Sequence, residues 1–198
     1  MVQSPRTGPE SEGKPVSMKD IKRYNDRIKR LLTTEEFREY KKDTSSLIDF
    51  GYDYIEIGDF KRAFKLFSMG ARVNGSDPDI LNGLGIVLCE LGRLKASRAI
   101  LEKAVTLYPE DSITLANLAG VYWEEGDFDQ ALFFYASALK ADPSILETHF
   151  NLINLHYEQG DLFMAYIACM NLIELHPDNQ QAIEMRDDII LNLGLTLC

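Results

Sequence analysis

Residues 118–143 read LAGVYWEEGDFDQALFFYASALKADP. Leu118, Ala119 and Tyr122 recur at helical spacing before Gly126, and Ala131, Tyr135 and Ala138 do so after it. Glycine tolerates the left-handed backbone that stops a helix, so Gly126 divides the stretch into two helices, and Pro143 closes it. The same glycine returns at Gly58, Gly92, Gly126, Gly160 and Gly194, always 34 residues apart. That interval divides the chain into four gapless blocks, 44–77, 78–111, 112–145 and 146–179, followed by a partial block, 180–198.

Other residues keep the same phase. Four places before the glycine stand Tyr54, Leu88, Tyr122 and His156; five places after it stand the small Ala63, Ser97, Ala131 and Ala165, which let two helices approach closely. Pro109, Pro143 and Pro177 close three blocks, whereas the first has Gly75 there and Pro78 slightly later. The period and these in-phase residues resemble the tetratricopeptide repeat over roughly residues 44–193, about three quarters of the chain. The fourth block departs from the pattern, with Ile153 in place of a small residue, Cys169 in place of a large one and Leu172 in place of alanine.

The resemblance implies an all-α fold, an α-solenoid wound as a right-handed superhelix of about four helical hairpins. One hairpin cannot cover its own apolar face, but stacked copies share a continuous core and form a curved groove. The last block, with Ile183, Ile190 and Leu193 at helical spacing and Glu184, Arg186, Asp187 and Asp188 elsewhere, is expected to be a capping helix over 180–198.

Charge is unevenly distributed. The net charge is −10, yet residues 1–43 hold eleven Lys/Arg against eight Asp/Glu, and residues 44–198 hold ten against twenty-three. The acidic body argues against nucleic acid or an anionic membrane as partner. No apolar run is long enough to span a bilayer. Residues 1–16 carry three prolines and two glycines, have no apolar core behind a basic end, and are expected to be a disordered tail rather than a secretory signal. Residues 17–43 are expected to form a basic helical extension. Within them, 18–32 combine an Ile21–Tyr24–Ile28–Leu31–Leu32 stripe with Lys19, Lys22, Arg23, Arg27, Lys29 and Arg30. That segment has three available roles: an N-terminal cap, an occupant of an acidic groove, or a contact that makes a homo-oligomer.

No catalytic signature is present. There is no GxSxG, no GxxxxGK[ST], and no GxGxxG after a strand. His149 and His156 lie seven apart rather than at the four of a metal pair, and His156 sits in the packing register of Tyr54 and Tyr122. Cys89, Cys169 and Cys198 are scattered, without CxxC spacing, which fits reduced thiols in a cytoplasm. No cofactor and no metal are expected.

The resemblance points instead to the first helix of each hairpin as the lining of the groove. Glu56, Glu90, Glu124 and Glu158 stand two places before the glycines, as a column of negative charge. Asn117 and Asn151 stand nine places before, where an amide can clasp an extended main chain. Tyr52, Trp123, Phe150 and Tyr157 are candidate aromatic anchors, and Asn82, Ile86 and Asn154 complete the candidate partner-binding set. These registers hold no Lys or Arg, so a clamp for a free C-terminal carboxylate is not expected, and a basic or apolar segment of another protein is. The function read from this pattern is a non-catalytic scaffold, adaptor or co-chaperone. A narrower alternative is a chaperone resembling those of type III secretion translocators. A further one is nucleic-acid or membrane association through 18–32.

Overall fold

A computed structural model describes residues 44–194, which contain nine α-helices and no strand. The expectations for the 1–16 tail, the 17–43 extension, the three roles of residues 18–32, and Cys198 lie outside the described residues. The described residues fall into two compact units, 44–109 and 110–194.

The first unit holds α1 (Ser45–Glu56), α2 (Phe60–Val73), α3 (Pro78–Glu90) and α4 (Leu94–Leu107). α1 stops because Gly58 adopts φ +74°. The Gly58 N–H then donates to the Ile55 carbonyl and the Asp59 N–H to the Tyr54 carbonyl, both at 2.9 Å, which satisfies carbonyls the helix end would leave orphaned. Asp59 starts the next helix, its carboxylate accepting from the Arg62 N–H. One glycine and one aspartate thus reverse the chain. The α3–α4 junction repeats the glycine, with Gly92 at φ +70°, but Arg93 follows it and supplies no side-chain cap.

These short junctions press the helices together, and residue size decides how closely. The Phe67 ring on α2 is fully buried. A Cβ at Gly51 on α1 would lie 2.5 Å from that ring, and one at Gly83 on α3 would lie 2.2 Å from it. Ala63 and Ser97 are also fully buried, and the Ser97 hydroxyl donates to the Gly85 carbonyl at 2.6 Å, so its polar atom is satisfied.

The second unit holds α5 (Ser112–Glu125), α6 (Phe128–Ala141), α7 (Leu146–Glu158), α8 (Leu162–Leu175) and α9 (Gln180–Asn192). Gly126, Gly160 and Gly194 sit at φ +72° to +80°. Asp111, Asp127, Asp161 and Asn179 each cap a helix by accepting from a backbone N–H. Phe150, Ile153, Ala165, Cys169, Leu172, Ala182 and Ile189 form a core that joins α7, α8 and α9. The Cys169 thiol donates to the Ala182 carbonyl at 2.9 Å, and burial pushes its pKa up to about 11, against the opposing pull of Arg186.

The structure shifts the phase of α9. It buries Ala182 and Ile189 and packs Met185 and Leu193 beside them, whereas Ile183 and Ile190 stand on the flank, half-buried. Of the expected Ile183–Ile190–Leu193 stripe, only Leu193 packs on this core. The small Ala182 takes the central position because α8 approaches closely enough for Cys169 to reach its carbonyl.

Gly83→Ala separates two opposing effects. Helix propensity alone favours alanine by about 1 kcal/mol. Overpacking against a fully buried ring costs about 1–3 kcal/mol, so the variant should be the less stable one in urea unfolding. Adding Phe67→Leu should recover part of the loss relative to Phe67→Leu alone. A Gly83→Ala protein more stable than the parent contradicts this packing.

Candidate functional site

The first helices of the hairpins carry the candidate residues, and a 34-residue subtraction aligns them. In the second unit, Asn117, Gly120, Trp123 and Glu124 on α5 correspond to Asn151, Asn154, Tyr157 and Glu158 on α7. Spacings of three and four put each set on one helix face. In the first unit the corresponding residues are Asp49, Tyr52, Ile55 and Glu56 on α1, and Gly83, Ile86, Cys89 and Glu90 on α3.

Two hydrogen bonds join neighbouring first helices in the second unit. The Trp123 indole N–H donates to the Glu158 carboxylate at 3.1 Å, tying α5 to α7. The Asn192 amide donates to the Tyr157 hydroxyl at 3.0 Å, tying α7 to α9. Both pairs are 35 residues apart, one period plus one place. A residue three before its glycine therefore reaches the one two before the next glycine. Tyr135 on α6 meets the Trp123 ring edge-on, with centroids 6.3 Å apart, and so supports it from the buried side. Trp123 remains half-buried and Tyr157 is 41% exposed.

Asn117, Asn151 and Asn154 are half-buried, Glu124 is half-buried and Glu158 is exposed. In the first unit Glu56 and Glu90 are exposed and Ile86 is half-buried. The Tyr52 hydroxyl donates to the Asp79 carbonyl at 3.2 Å, and its ring packs edge-on against Phe67. Two candidates do not present their side chains. Phe150 is 3% exposed, inside the α7–α8–α9 core, and Asn82 is 4% exposed. Each precedes by one residue the register of Asn117 and Asn151, and one helical step of about 100° turns it inward. Asn82, Asn117 and Glu124 have interactions of their own. Asn192 was missed in the sequence; it occupies the glutamate register of the last block, which the subtraction would have found.

The aligned rows of α1, α3, α5 and α7 contain carboxylates, amides and aromatic edges but no Lys or Arg. Among the described residues, no group of three His, Cys, Asp or Glu could hold a metal ion, and no helix is long and apolar enough to cross a membrane. His149 is buried and its Nε2 lies 2.9 Å from the Pro143 carbonyl, which accounts for it structurally. His156 is half-buried beside Tyr157; burial lowers its pKa from 6.5, partly opposed by Asp161.

Residues 77–144 match the tetratricopeptide repeat family. The matched span covers α3 to α6, and the glycines and small residues on both sides of it keep the same phase; residues 77–144 carry tetratricopeptide repeats. The chain is 26% identical over 127 residues to BBSome complex member BBS4 of Bos taurus, covering 64% of this chain and 24% of that one. It spans about a quarter or less of the length of the curated relatives it matches. Among solved structures, MamA protein is 18% identical with TM-score 0.63, over 77% of this chain and 83% of that one. YrrB, described as a TPR protein with an unusual peptide-binding site, is 18% identical with TM-score 0.60, over 81% of this chain and 82% of that one. The fold is therefore an all-α helical repeat, of a family whose members are generally non-catalytic scaffolds, and it is consistent with a protein-interaction role.

Two outcomes follow from the site. Glu158→Ala should change the emission of the single tryptophan while lowering stability by no more than about 1 kcal/mol, because the bond is exposed. An unchanged spectrum contradicts the Trp123–Glu158 contact. For His156, the folded pKa lies below the unfolded value, so the unfolded chain binds the proton more readily. Its effect is absent at high pH, and stability falls as pH drops through about 6.5. Urea midpoints between about pH 7.5 and about pH 5.5 should fall more for the parent than for His156→Gln; equal falls contradict the assignment.

Proposed function

We propose that this protein is a non-catalytic scaffold whose first-helix rows hold a segment of another protein. The observation that carries this reading is the Trp123–Tyr157 pair, two accessible aromatic edges fixed by hydrogen bonds to Glu158 and Asn192. Fixed anchors lose little conformational freedom on binding, so their contact area counts more fully toward affinity. Asn117, Asn151 and Asn154 supply paired donors and acceptors for an extended main chain. Glu124 and Glu158, with no Lys or Arg in the rows, favour a segment that is basic or apolar. In residues 44–109 the corresponding face offers Tyr52, Glu56, Ile86 and Glu90, and the same reading extends to it by itself. Scattered cysteines, one of them a buried thiol, suit a reducing compartment such as the cytoplasm.

Panning a displayed peptide library against the full-length protein tests this reading. Enriched peptides should be basic or apolar, should perturb Trp123 fluorescence, and should weaken as salt is raised. The triple variant Trp123→Ala, Asn151→Ala, Tyr157→Ala should retain its helix content and bind them at least about tenfold more weakly. Equal binding by the triple variant contradicts the proposal.

A further inference from the structure

α8 (Leu162–Leu175, LFMAYIACMNLIEL) carries a single charged residue, Glu174. It buries Ala165, Ala168, Cys169 and Leu172 against its neighbours. A helix that is apolar nearly all round normally has every side covered. Here Phe163 is 64% exposed and Leu175 51%, with Met164 and Met170 also exposed. At about 100° per residue Phe163, Met170 and half-buried Ile167 lie opposite the buried residues, and Met164 and Leu175 extend the exposed arc along one flank, with Asn171 and Glu174 interspersed.

Outward exposure alone does not explain that arc. The same registers of α2, 102 residues earlier, hold the exposed Lys61, Arg62 and Lys65, and those of α4, 68 residues earlier, hold the exposed Lys95 and Glu102; only the Leu175 register is apolar and exposed in all three helices, as Val73, Leu107 and Leu175. A second helix in this repeat can therefore solvate its outer face, and α8 does not.

The surrounding charge restricts what fits there. Residues 141–185 contain no Lys or Arg, and seven carboxylates: Asp142, Glu147, Glu158, Asp161, Glu174, Asp178 and Glu184. Asp161 stands exposed at the start of α8, and Glu174 and Asp178 stand exposed at its end, so the apolar strip is bracketed by negative charge. A second copy laid antiparallel on the same strip would set Asp161 against Glu174 and Asp178, like charge against like charge. An anionic bilayer meets the same repulsion. A helix with an apolar stripe and Lys or Arg along its flanks meets neither.

We propose that the outer face of α8 docks a basic amphipathic helix of a partner protein. Phe163 and Leu175 supply the area, Met164 and Met170 adapt to the shape of the incoming side chains, and Asp161, Glu174 and Asp178 set partner sign and direction. This surface is separate from the first-helix rows, and neither reading depends on the other.

The test uses a fluorescent amphipathic Leu/Lys peptide about as long as α8, titrated by anisotropy into the full-length protein. The variant Phe163→Lys, Met170→Ser places on α8 the residues that α2 carries at Lys61 and Ser68, and both substituted side chains are exposed, so helix content and unfolding midpoint should hold. It should bind at least about tenfold more weakly than the parent. A Leu/Glu peptide of the same pattern should also bind at least about tenfold more weakly than the Leu/Lys peptide. In a Trp123→Ala, Tyr157→Ala background the same α8 substitutions should still weaken Leu/Lys binding at least about tenfold. The proposal is overturned by absent or equal binding in parent and variant, by a Leu/Glu peptide that binds as well, or by α8 substitutions that have no effect in the Trp123/Tyr157 background. It is also overturned if sedimentation shows a dimer that the α8 variant dissociates, or if the parent floats with lipid vesicles and the variant does not.

Discussion

The left-handed glycine at the end of each first helix is the constraint on which the other features depend. An ordinary residue at φ +70° to +80° costs about 1–2 kcal/mol, so the chain can reverse there with least strain only where glycine stands. The next N–H reaches back to the helix carbonyls, and at three of the junctions that same residue is an aspartate which opens the next helix. Because one residue ends a helix and its neighbour begins another, the connection has no slack. The second helix must return against the first, and the small Ala63, Ser97, Ala131 and Ala165, all fully buried, allow it to do so closely.

Tight reversal has consequences for the surface. Within residues 110–194 the first helices of adjoining hairpins stand next to one another, close enough for side chains one period plus one place apart to bond. That offset turns isolated helix positions into a row in which an indole, a phenol, carboxylates and amides are held in fixed order. The second helices are free to vary on their outward side, and they do: lysines and arginines on α2, apolar side chains on α8.

The period, the five glycines and the buried small residues were legible in the sequence because each is imposed by local backbone or by close approach, and repetition multiplies a weak signal. Other features were not. Phe150 and Asn82 were placed on the binding face by residue type, but they lie one helical step away from it and turn inward. In α9 only Leu193 of the Ile183–Ile190–Leu193 stripe packs on the core, with Ile183 and Ile190 half-buried on its flank, because which part of an apolar face is buried depends on the partner helix. The Trp123–Glu158 and Tyr157–Asn192 ties were invisible because they depend on the stagger between neighbouring hairpins, which no single block encodes. The uncovered face of α8 was equally hidden, since an apolar residue looks the same in sequence whether it is packed or open.

The account rests on the first-helix row of residues 110–194 being where a partner segment sits. The most direct measurement is a proton–nitrogen NMR titration of the full-length protein with such a segment, in which the single tryptophan contributes one indole N–H signal. The account predicts that this signal moves together with the side-chain amides of Asn117, Asn151 and Asn154. A segment that binds with the indole and all three amides unmoved contradicts it.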